Sequence, residues 1–107
     1  MGKGPEIDEL IKSDVRSVSR TKLKKPKLYR VILFNDDYTS MEFVVEILIS
    51  IFNKPAAEAT SIMLDVHKKG TGICGVYTFD IAITKVNQVH KQARLNEFPL
   101  RCGYEEI

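Results

Sequence analysis

The sequence predicts an α+β fold, a two-layer sandwich in which a three-stranded antiparallel sheet carries three helices in the order β-α-α-β-α-β. Three observations point to it. Short β-forming runs alternate with longer stretches of helical periodicity. Those helical stretches carry start and stop signals. A chain of 107 residues with 44% hydrophobic content supplies one core and is too short for two domains.

The first 27 residues lack a core-forming pattern. "RSVSRTKLKKPK" holds six basic residues and no acid, and Ser, Thr and Pro26 interrupt it. Residues 1–26 therefore read as a flexible N-terminal extension, and residues 27–107 as the folded domain. "EIDELIK" sets Ile7, Leu10 and Ile11 at helical spacing, but so short a helix is marginal alone in water and could order on a partner.

"LYRVILF" is the first strand, with Tyr29, Val31 and Leu33 on one face and Ile32 and Phe34 on the other. "TSMEFVVEILISIF" is the first helix, with Thr39 and Glu42 spaced as a capping box. Its polar residues Glu42, Glu46 and Ser50 recur every four positions, one thin wet stripe on an otherwise buried helix. Asn53 and Lys54 break the pattern, and Pro55 suits the first turn of a second helix. There Ala59, Ile62, Met63 and Val66 face inward, His67 extends their edge, and Gly70 is the stop. "GICGVYTF" is a second strand. A third helix runs from about Asp80 to Asn96 with Ala82, Val86, Val89 and Ala93 on one face, and "LRCGYEEI" forms the last strand.

Composition narrows the function classes. No apolar run approaches the length of a membrane span, and neither a signal peptide nor an acid-poor transit peptide is evident at the start. A cytoplasmic protein without membrane contact is expected. Cys74 and Cys102 form no CxxC unit and read as reduced structural thiols. The net charge of +2 divides unevenly. Residues 1–27 carry eight Lys/Arg against four Asp/Glu, or +4, and residues 28–107 carry eight against ten, or −2. A nucleic-acid-binding domain is the alternative suggested by the basic arm, but the mildly acidic remainder has no basic stripe or stacking platform. A metal-dependent hydrolase could be imagined from Asp36, Asp37, His67 and His90, yet no HExxH or comparable spacing joins them. Neither metal nor cofactor is expected.

The stretch "LFNDDYTSMEFV" raises the functional question. Two adjacent carboxylates beside an apolar segment repel each other and are costly to desolvate. Asn-Asp-Asp before a helix is most often turn and capping chemistry, and methionines at helical spacing are usually core. If the first two helices pack side by side, however, the 35–37 turn, Met41, Val44, Met63, Val66 and His67 could converge. Acceptors beside an apolar hollow suit a ligand with a cationic head and an apolar side group.

"LYRVILFNDDYTSMEFVVEIL", "IMLDVHKKGTGICGVYT" and "TKVNQVHKQAR" together resemble the bacterial ClpS family of N-degron adaptors, in order and across nearly all of residues 27–102. The resemblance implies a monomeric adaptor that is not an enzyme. It would recognise the free N-terminus of proteins beginning with Leu, Phe, Tyr or Trp and deliver them to the N-domain of a ClpA-type AAA+ unfoldase of the Clp protease. It implies that Asn35, Asp37 and His67 hold the α-amino group. Asp36, Thr39, Met41, Val44, Met63, Val66 and Leu100 would form or edge the side-chain pocket, with Met41 as a gate against β-branched residues. Asp80 and Lys85 would face the unfoldase. Two departures stand out: "AITKV" where the family has "AETKV", so that Ile83 replaces an acid, and Ser40 where many relatives have proline.

Overall fold

A computed structural model describes residues 25–107. The expectations for residues 1–24, including the short "EIDELIK" helix, lie outside the described residues. From Leu28 the chain forms strand β1 (Leu28–Phe34), helices α1 (Met41–Ser50) and α2 (Ala56–Lys69), strand β2 (Thr71–Thr78), helix α3 (Phe79–Leu95) and strand β3 (Arg101–Glu106). The sheet order is β2-β1-β3 with both pairings antiparallel, so the first strand is central and the other two are edges.

Alternation in β1 sets the layers. Val31 and Leu33 point at the helices and are fully buried, joined by Phe43, Val44, Ile47 and Leu48 of α1, Ala59 and Val66 of α2, and Ala82, Val86, Val89 and Ala93 of α3. Cys74 and Cys102 also belong to this core as free, buried thiols, with Ile51, Phe52 and Leu100. Burial raises both thiols' pKa values, Cys102's to about 12. The other face of the sheet carries Ile73 of β2 opposite Ile32, and the Arg30–Glu105 ion pair between β1 and β3.

A bulge interrupts the β1–β2 ladder. Val31 pairs with Gly75 and Ile32 with Ile73, which leaves Cys74 as the extra residue. Next to it, a Cβ at Gly72 would lie 2.6 Å from Val66 Cγ2, so glycine is what lets α2 press onto β2. Gly70 ends α2 in the left-handed conformation at φ 92°, as the stop signal predicts.

Three local expectations are corrected. The N-cap of α1 is Ser40 rather than Thr39: the Ser40 hydroxyl accepts the Phe43 N–H at 3.1 Å, while Thr39 is held by the Asp36 carboxylate, the stronger acceptor. Pro55 is the N-cap of α2 in an extended conformation, one position ahead of the first turn. Finally, α1 is not dry outside its polar stripe, since Met41 is 43% and Ile49 42% exposed. The α2 contact and the sheet cover only part of its circumference.

His90 also has a defined place. Its Nε2 accepts the Cys102 N–H at 3.0 Å, tying α3 to edge strand β3 and satisfying a backbone donor there. This bond requires the neutral ring with its proton on Nδ1. No helix among the described residues is long and apolar enough to cross a membrane.

Candidate functional site

The 35–37 turn is positioned from both sides. Asn35 N–H donates to the Gly70 carbonyl at 2.9 Å, and Gly70 N–H donates to the Val66 carbonyl at 3.0 Å. These bonds anchor the end of β1 to the end of α2. They bring the turn beside His67, one helical turn before Gly70.

Asp36 organises the turn itself. One carboxylate oxygen accepts the N–H groups of Tyr38 and Thr39 at 2.8 and 2.7 Å, and the other accepts the Thr39 hydroxyl at 2.7 Å. This is an Asx-type arrangement that aims the chain into α1. Burial pushes the Asp36 carboxyl up, but the Thr39 hydroxyl, the two N–H donors and the Arg101 charge outweigh it. The net result lies below the usual carboxylate value. Arg101 had no role in the sequence reading. It reaches this corner because β3 pairs it with Phe34, over whose ring its guanidinium lies at 5.3 Å. Only cross-strand register could have revealed that.

Asn35, Asp37 and His67 differ from Asp36. All three are exposed, and among the described residues no side-chain hydrogen bond or ion pair occupies them. They leave an amide oxygen, a carboxylate and an imidazole nitrogen available to a ligand.

These groups open onto a cavity of about 260 Å³ lined by Asn35, Asp36, Asp37, Thr39, Met41, Val44, Met63, Val66 and His67. Nine of the ten residues expected at the terminus-binding site thus share one cavity. Leu100 does not line it; at 4% exposure it belongs to the core cluster, behind the surface. One half of the lining is polar and the other is two valines and two methionines. An ammonium on one side and an apolar group on the other would each meet matching chemistry. No three His, Cys, Asp or Glu side chains among the described residues gather as metal ligands.

Asp80 and Lys85 lie apart from this cavity and from each other. Five residues of separation turn them roughly 140° around the helix axis. Asp80 is exposed in the first turn of α3. Lys85 reaches back, donating to the Ile51 carbonyl at 2.6 Å with its ammonium 5.8 Å from the Tyr77 ring and 6.0 Å from Phe52. It therefore caps the C-terminus of α1 as well as bordering the surface.

Residues 24–103 match the family model described as ATP-dependent Clp protease adaptor protein ClpS. The chain belongs to the ClpS family. The matched span contains every residue of the cavity. The ClpS adapter protein of Syntrophus aciditrophicus (strain SB) is 65% identical over 86 residues, which cover 80% of each chain. That of Acetivibrio thermocellus is 60% identical over 94 residues, covering 88% of this chain and 95% of the relative. Among solved structures, Agrobacterium tumefaciens ClpS2 bound to L-phenylalaninamide is 35% identical. It aligns with a TM-score of 0.75 over 78% of this chain and 100% of that one. As a ClpS, the chain is an adaptor of the ATP-dependent Clp protease and not the protease itself.

Proposed function

We propose that this adaptor binds proteins through a free N-terminal Leu, Phe, Tyr or Trp and delivers them to the N-domain of a ClpA-type AAA+ unfoldase. The observation that carries the reading is the split lining of one cavity, three unoccupied acceptors facing four apolar walls. An α-ammonium has three N–H donors and one positive charge. Asn35 offers a carbonyl, His67 a neutral imidazole nitrogen, and Asp37 the carboxylate that offsets the charge withdrawn from water. Met41, Val44, Met63 and Val66 then receive the side chain, whose burial is worth about 1.5–3 kcal/mol for a Leu or Phe. Asp36 and Thr39 hold the turn that presents these groups, and Leu100 backs the site from the core. Met41 at the mouth rejects a second branch at Cβ.

The solved ClpS2 relative supports this reading by the chemistry of its ligand: L-phenylalaninamide combines a free α-amino group with a benzyl side chain. The chain acts as a cytoplasmic monomer, with residues 1–26 as an extension used in delivery and Asp80 and Lys85 toward the unfoldase.

The deciding experiment is calorimetric titration with a Leu-initiated peptide and its N-acetylated twin. Acetylation removes the charge and leaves the acceptors partly unpaired, which costs about 1.5–3 kcal/mol. A loss of at least tenfold in affinity is expected. Equal affinity for the two peptides would refute the proposal.

A further inference from the structure

Beyond the lined cavity lies a second hollow, of about 330 Å³, bordered by Met41, Glu42, Val45 and Met63. It shares Met41 and Met63 with the first cavity. Those two side chains, one from α1 and one from α2, are a partition with space on both sides.

The four apolar walls of the cavity are not equally able to move. Val44 and Val66 are 6% and 3% exposed, stiff at χ1 and packed into the core. Met41 is 43% exposed and Met63 half-buried, and each is unbranched with three rotatable bonds. Among the apolar walls, a larger guest can therefore displace only the methionines, pressing them outward. What they meet is the second hollow, whose remaining apolar wall is the half-buried Val45.

We propose that the second hollow receives Met41 and Met63 when a large first side chain fills the cavity, so that Val45 determines the upper size of the N-terminal residue accepted. This rests on the reading above that the first side chain lies among Met41, Val44, Met63 and Val66. It adds a specificity-determining residue that touches no part of the bound peptide. The sequence offered no hint of it, because a valine on an apolar helix reads as core.

The test compares two peptides identical except for an initial Leu or Trp, by fluorescence anisotropy. Val45→Phe fills the hollow: affinity for the Trp peptide should fall at least fivefold relative to the Leu peptide, whose own affinity stays within twofold. Val45→Ala widens the hollow and should shift the Trp-to-Leu ratio the other way. The chain has three methionines, so methyl-labelled wild-type protein resolves the partition directly. The Met41 and Met63 methyls should gain contacts to Val45 with the Trp peptide and not with the Leu peptide. This measurement decides the matter even if Val45→Phe does not fold. An unchanged ratio in folded variants, or methyls that stay in place, overturns the proposal. So does a ratio that instead follows the peptide's second residue when that position is varied. Wild-type protein that binds neither peptide overturns the underlying functional reading as well.

Discussion

Asp36 and Asp37 are neighbours in sequence with opposite occupations. Asp36 accepts three hydrogen bonds from its own turn, while Asp37 is exposed and unoccupied among the described residues. Substitutions should separate the two. Asp37→Ala and His67→Ala are each expected to weaken binding of a Leu- or Phe-initiated peptide at least tenfold with little change in melting temperature; unchanged affinity would remove those residues from the site. Asp36→Asn acts on the fold. Its folded-state pKa is lowered, so the ionised form adds stability above the unfolded value of about 3.9, and that contribution is lost as pH falls through the folded value. Urea unfolding should find Asp36→Asn less stable than the parent at pH 7, with the gap closing below about pH 4. A gap independent of pH would mean that the charge contributes nothing.

At the scale of elements, periodicity located each helix and strand; the errors of boundary are confined to their ends, and the other miss is the wider exposure of α1. Thr39 and Ser40 are equally plausible caps by residue type, and the choice between them depends on Asp36 capturing Thr39. His90 illustrates the same limit. On the sequence it is a histidine without a local partner, a candidate ligand only by imagination. In the fold its Nε2 accepts an N–H from a strand 12 residues away. His90→Leu should leave that donor unpaired and lower stability by about 1–3 kcal/mol, whereas His90→Gln, which retains an acceptor, should recover part of the loss. Denaturant midpoints of the two variants provide the check; equal losses would show that packing, not the hydrogen bond, matters there.

For the whole molecule, the described residues make a domain whose cavity opens at the α1–α2 groove, while Asp80 and Lys85 lie on α3. On the proposed function, recognition and delivery can therefore be separated. Removing residues 1–26 should leave peptide affinity within twofold and reduce degradation of a Leu-initiated substrate by the unfoldase–protease complex at least fivefold. Degradation at the full rate would deny the extension a part in delivery. Lys85 needs a double readout, because it also caps α1. A Lys85→Ala variant that lost unfoldase binding would implicate the surface only if its stability were unchanged.

The sequence by itself determined the element order, the inward faces of α2 and α3, the family, and the residue types suited to an ammonium beside an apolar group. These are legible because hydrophobic periodicity and the "NDDYT" and "CGV" motifs are local properties of the chain. Tertiary structure alone decided which acceptors remain open, that Leu100 is buried in the core and does not line the cavity, that Arg101 biases Asp36, and that Met41 and Met63 border two hollows. Each depends on the distance between groups far apart in sequence, and those distances are set by strand register, the bulge at Cys74 and the packing of α2 against Gly72.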